Sequence, residues 1–162
     1  MGNRHQSRSE AYDLVRFYYR GFCQATRTTA FKVAHNNYTP VPLDADNYDL
    51  VRPNASPMHN PAVNNERVYA RRDGVYLIAA HAVWASNATG VRVIYIARNG
   101  ANIAADRRAA LSGYDTAQQV STMRYLNAGD YVTLYAFQNS GGDLNLLQAA
   151  YTPVLSVALV GD

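Results

Sequence analysis

Cysteine is all but missing. Cys23 is the only one in 162 residues, so the chain forms no internal disulfide and relies on packing for its stability. Lysine is as scarce: of 15 basic residues, Lys32 alone is not an arginine. Coding bias in a GC-rich genome is the plainer account, and selection for bidentate guanidinium contacts the sharper one. Charged residues make up 17% of the chain and the net charge is only +3, too mild an excess to argue for nucleic acid. No apolar run is long enough to span a bilayer, so no membrane partner is expected. Residues 1–8 hold no apolar signal-peptide core, which predicts folding in a cytoplasm. A Gly-rich phosphate loop, His-Glu-x-x-His, paired cysteines and a Gly-x-Ser-x-Gly elbow are all absent. The expectation is a protein that is not an enzyme, with no catalytic residue, no cofactor and no metal.

What is present is a globular composition, 48% hydrophobic, in a length that suits one domain. Thirteen tyrosines against four phenylalanines and one tryptophan favour strands and half-buried surfaces, where an apolar ring with a polar tip fits.

The most informative stretch runs from Arg72 to Asn99. Asp73-Gly74 reads as a turn, 75–84 as a strand, 86–90 as a loop, 91–97 as a second strand and Asn99-Gly100 as a tight hairpin. The first strand is apolar on both faces apart from His81, where a strand with one wet face would alternate. Residues 154–160 share that character. Two doubly apolar strands predict a sheet covered on both sides, once by a facing sheet and once by something else, which a second copy of the chain would supply.

Elsewhere the signals are shorter. Residues 28–33 read as the first strand of the body, and Pro40 and Pro42 confine the next stretch to an edge or loop. Residues 44–65 read as loop. Asp44, Asp46 and Asp49 lie close enough together to suggest Ca²⁺, but they lack a closing Glu, which favours a solvated loop. Residues 67–70, 101–105 and 118–126 read as strands, 106–116 as loop and 144–150 as ambiguous. In 131–138, Val132, Leu134 and Ala136 form an aliphatic face, and Tyr131, Thr133, Tyr135 and Phe137 an aromatic one. His59 reads as a hydrogen-bonding loop residue, His81 as a core histidine and Cys23 as a buried or incidental thiol.

Residues 1–27 read as an arm. Arg8, Arg16 and Arg20 accompany Leu14, Phe17, Tyr18 and Phe22. Two accounts fit this segment: packing back on its own domain, or anchoring on a neighbouring protein.

Short strands, regular turns and no long helix predict an all-β sandwich or barrel. The order Gly74-Val75-Tyr76, Asn99-Gly100, Leu126-Asn127-Ala128-Gly129-Asp130-Tyr131-Val132-Thr133-Leu134 and a terminal apolar strand resembles the complement C1q/tumour-necrosis-factor-like family. Tyr48-Asp49, Met58-His59-Asn60, Asn64-Asn65-Glu66-Arg67 and Trp84 look like the versions carried by tailed phages. The resemblance implies a jelly-roll β-sandwich over 28–162, in a homotrimer, behind the 1–27 arm. It places Tyr131, Tyr135 and Phe137 at the three-fold axis, with Tyr76 and Trp84 as further candidates. It also implies a virion structural protein, a capsid decoration or cementing protein that binds other virion subunits through its arm. The alternative is a receptor- or glycan-binding tip of a tail or fibre.

Overall fold

The computed structural model describes residues 21–148 and 152–161. Among these residues, twelve strands build two antiparallel sheets. They are β1 (Phe22–Thr26), β2 (Phe31–Val33), β3 (Thr39–Pro40), β4 (Ala45–Leu50), β5 (Arg67–Tyr69), β6 (Gly74–Trp84), β7 (Val91–Arg98), β8 (Ala101–Ala109), β9 (Thr116–Leu126), β10 (Tyr131–Gln138), β11 (Leu144–Leu146) and β12 (Val154–Gly161). The seven-stranded sheet runs β2-β11-β6-β12-β1-β4, with β9 on the other side of β6. The five-stranded sheet runs β3-β10-β7-β8, with β5 also on β10.

Period-2 alternation explains how the two sheets close on each other. Tyr76, Ile78, Ala80, Ala82 and Trp84 of β6 point inward, as do Leu155, Val157 and Leu159 of β12. They meet Ile94 and Ile96 of β7 and Val132, Leu134 and Ala136 of β10. Trp84, fully buried, donates its indole N–H to Gln118 Oε1 at 2.7 Å. Gln118 Nε2 in turn donates to the carbonyls of Arg92 (3.2 Å) and Asp106 (2.8 Å), linking β9 to the other sheet.

The turns explain why the Gly-Asp motif sits where it does. Asp130 Oδ2 accepts from Asn127 N at 2.8 Å and from Arg98 Nε at 3.1 Å, while Oδ1 accepts from Asn99 Nδ2 at 2.6 Å. Asn99 Oδ1 accepts from Tyr131 N at 2.9 Å. One carboxylate therefore joins the β7–β8 hairpin to the β9–β10 turn. At Gly90, φ is +79° and an added Cβ would lie 2.4 Å from the Asn139 carbonyl oxygen, so only glycine fits.

Several expectations change. The arm assigned to 1–27 gives way at Phe22, because β1 lies between β12 and β4 in the larger sheet. Residues 45–50, read as loop, form β4 on that same edge. The segment looks polar because Asp46 and Asp49 turn inward, opposite Ala25 and Cys23, while Tyr48 and Leu50 turn outward. Strand β8 reaches Ala109 and β9 begins at Thr116, so the loop expected at 106–116 is shorter. His81 is exposed on the outer face of β6, not in the core.

Candidate functional site: two outward sheet faces

The outer face of the five-stranded sheet is aromatic. Tyr95 of β7 and Tyr135 of β10 are cross-strand partners, and their rings stack 4.8 Å apart at an interplanar angle of 4°. Tyr38, just before β3, stacks on Phe137 at 4.4 Å and meets Tyr95 edge-on at 5.7 Å. Tyr69 and Tyr131 form a tilted pair at 5.8 Å. Arginines cover that end, with Arg67 4.5 Å above the Tyr131 ring and Arg71 5.1 Å above Tyr69.

Three of the expected axis residues, Tyr131, Tyr135 and Phe137, are gathered on this one half-buried face, but their ring faces are already occupied by partners from the same chain. The other two do not reach any surface. Tyr76 and Trp84 are 1% and 0% exposed, because the inward phase of β6 buries them between the sheets. Both are corrected from interface to core. Tyr76 uses its hydroxyl to donate to the Arg72 carbonyl at 2.9 Å. Of the expected arm contacts, Arg8, Leu14, Arg16, Phe17, Tyr18 and Arg20 lie outside the described residues. Phe22 belongs to β1.

The outer face of the seven-stranded sheet is different in kind. Strand register sets Met123, Leu77, Ala158, Phe22 and Leu50 side by side across β9, β6, β12, β1 and β4. On either side lie the rows Tyr125–Val75–Gly161 and Ser121–Ala79–Ser156–Gln24–Tyr48. Leu77 is 43% exposed, Met123 56% and Tyr125 53%. A continuous apolar band across five strands is far more than the scattered surface residues of an ordinary monomer. Sequence reasoning saw that β6 was apolar on both faces. It missed the band because four of its five positions come from other strands, and each is unremarkable alone.

Beside this sheet, residues 54–65 are pinned to β4 by a buried imidazole. His59 Nδ1 lies 2.6 Å from Asp46 Oδ1, and Nε2 lies 2.9 Å from the Asn65 carbonyl. A carbonyl only accepts, so Nε2 carries a proton, and Nδ1 faces the Asp46 carboxylate. The His59 backbone N–H donates to Asp49 Oδ2 at 2.9 Å. Burial raises the Asp49 pKa above the usual carboxylate range, and the nearby Asp46 charge adds to this against the lowering effect of hydrogen bonds from His59 and Met58. Asp46 and Asp49 thus hold a loop, whereas the sequence suggested a solvated one. Burial, with Asp49 and Asp46 nearby, pushes the Cys23 thiol far up, so it is a packed and unreactive group.

Arg92 is a buried cation in a cage of carbonyls. Its guanidinium donates to the carbonyl oxygens of Thr89 (2.9 Å), Val91 (3.1 Å) and Asn87 (3.0 Å), closing the loop between β6 and β7. Burial lowers its pKa.

No known family's sequence model matches the chain, and no curated protein sequence does. Solved structures do. Murine APRIL at pH 5.0 superposes with a TM-score of 0.65 at 12% identity, over 86% of this chain and 98% of that one. The globular domain of zebrafish complement 1qA gives 0.60 at 11%, over 86% and 97%. Eiger TNF from S. frugiperda gives 0.56 at 16%, over 88% and 92%. At such identities the likeness establishes architecture alone, and it agrees with the two antiparallel sheets and their register: the chain folds as a C1q/TNF-like jelly roll.

Proposed function

We propose that the protein is a non-enzymatic homotrimer whose subunits meet through the outer face of the seven-stranded sheet, and that it serves as a virion structural protein. The observation that carries the trimer is the apolar row Met123–Leu77–Ala158–Phe22–Leu50. Left in water, this band has no physical rationale, whereas a symmetric assembly buries it. It also accounts for the second covering that the doubly apolar β6 and β12 require. The C1q/TNF fold usually trimerises, which supports the same assembly. The interface therefore shifts from the tyrosines of β10 to the β9-β6-β12-β1 surface.

The virion role rests on sequence. The Tyr48-Asp49, Met58-His59-Asn60 and Asn64-Asn65-Glu66-Arg67 motifs and the arginine bias resemble tailed-phage proteins, and the N-terminal segment carries basic and aromatic residues together. In this reading the trimer decorates a capsid, the segment before Phe22 binds capsid subunits, and three such segments act together by avidity. Tyr114, 73% exposed beyond β8, favours a second reading as a receptor- or glycan-binding tip.

Light scattering tests the assembly. The full chain should give a trimer mass, and the double variant Leu77→Glu/Met123→Glu a monomer with an unchanged far-ultraviolet spectrum. A monomeric wild-type chain, or a double variant that stays trimeric, overturns the assigned face. Heat release of DNA from particles with and without the protein tests cementing, and binding to a glycan array favours the second reading instead.

A further inference from the structure

The outer face of the five-stranded sheet pairs its aromatic rings in different ways. Tyr95 and Tyr135 lie opposite each other across β7 and β10, with centroids 4.8 Å apart and planes 4° from parallel. Tyr38 meets Tyr95 at 66°, and Tyr69 meets Tyr131 at 55°. Tyr38 and Phe137 stack at 25°, but phenylalanine has no hydroxyl. Among these pairs, Tyr95–Tyr135 alone brings two phenols together in parallel.

That geometry suits one reaction of phenols. Loss of one electron and one proton turns a tyrosine into a neutral phenoxyl radical, whose unpaired spin spreads to the ring carbons ortho to oxygen. Two such radicals couple by overlap of π lobes, which stand perpendicular to the rings. Parallel rings at close range turn those lobes toward each other, and steeply tilted rings do not. Burial pushes the Tyr95 phenol above its ordinary pKa, and the neighbouring Tyr135 and Tyr38 hydroxyls add to this. Tyr95 is therefore a neutral phenol at neutral pH and gives up its proton with its electron. Both residues are half-buried, so their rings meet solvent, which takes the protons.

We infer that Tyr95 and Tyr135 form an oxidative cross-linking site, at which a peroxidase with hydrogen peroxide joins the two rings as an intrachain dityrosine. Each tyrosine loses one electron and one proton, and the two radicals form an ortho C–C bond. Each bonded carbon then passes its hydrogen to the phenolic oxygen as the ring regains aromaticity, and the peroxide is reduced to two waters. The bond staples β7 to β10 in a chain whose single cysteine allows no internal disulfide. It closes a loop of roughly 40 residues and so restricts the unfolded chain as a disulfide would. The site lies on the sheet opposite the apolar band and does not depend on the trimer or on a virion role.

The test treats the full chain, at high dilution, with a haem peroxidase and limiting hydrogen peroxide. Blue dityrosine fluorescence should appear while the chain keeps its protomer mass on a denaturing gel. Trypsin should release peptide 93–98 joined to peptide 125–162, with fragment ions placing the bond at Tyr95 and Tyr135. Tyr95→Phe and Tyr135→Phe keep the stacked rings and should each abolish this peptide pair. Tyr38→Phe should leave it, since that ring meets Tyr95 edge-on. The linked protein should unfold at a higher urea concentration than the untreated one. No fluorescence, a bond at Tyr38 or another tyrosine in place of Tyr135, or cross-links only between chains overturn the inference, and an unchanged urea midpoint overturns the staple.

Discussion

Asp130 offers the sharpest test of how the turns are tied. Its two oxygens accept from Asn127 N, Asn99 Nδ2 and Arg98 Nε, and Arg98 Nη2 lies 2.8 Å from Oδ2. The side chain is 12% exposed. Asp130→Asn keeps the shape but must set an NH₂ group against donors on one side or the other, because every partner donates. A net charge-assisted hydrogen bond contributes about 1.5–3 kcal/mol, and these share one carboxylate, so they do not simply add. The expected loss is roughly 2–3 kcal/mol for Asp130→Asn and somewhat more for Asp130→Ala, which abandons all the donors.

The pH dependence follows from the same contacts. Partial burial alone would raise the Asp130 pKa, but the Asn99 amide, the Asn127 N–H and Arg98 together bring it below the ordinary value of 3.8. A depressed folded-state pKa contributes stability that is present above the unfolded value and lost as pH falls through the folded one. The wild type should therefore lose stability below about pH 4 relative to Asp130→Asn, and the gap between them should narrow. Urea unfolding at one protomer concentration, at pH 7 and pH 3, reads both effects. A difference under about 0.5 kcal/mol at pH 7 would refute the carboxylate as the tie between the turns.

Four further outcomes are expected. Gly90→Ala should cost at least about 2 kcal/mol by thermal unfolding, since a Cβ at φ +79° meets the Asn139 carbonyl 2.4 Å away. Trp84→Phe should cost roughly 1–3 kcal/mol, because it leaves Gln118 Oε1 buried without its donor. His59→Ala should free residues 54–65 from β4, and trypsin should then cut after Arg67 at a protease concentration where the wild type resists. Cys23 should stay unlabelled by a thiol reagent in the native protein and react fully in urea, as a buried thiol with a strongly raised pKa does.

The parts of the fold written in local patterns were legible. The two apolar faces of β6, the Asn99-Gly100 hairpin, and Val132, Leu134 and Ala136 as sandwich filling all follow from period-2 alternation and turn chemistry within a dozen residues. Strand β4 was hidden because its inward groups are Asp46 and Asp49, whose partner His59 lies 10–13 residues away in a Pro- and Asn-rich loop. Strand β1 was hidden because only Cys23, Ala25 and Thr26 turn inward, and its partners β4 and β12 are distant in sequence.

The sequence by itself determined that this would be an all-β domain with more apolar strand surface than one sandwich can bury. Alternation and turn residues are local properties, and no other fold class accommodates them. It also marked which residues of β10 were aromatic and which aliphatic. Only the tertiary structure decided which surface each set occupies. The phase of β6 put Tyr76 and Trp84 in the core and Leu77 outside, and ring stacking engaged Tyr135 and Phe137 within their own chain. Register across five strands then aligned Met123, Leu77, Ala158, Phe22 and Leu50 into one band. Register is a relation between distant segments set by the whole pattern of pairing, and no single segment encodes it.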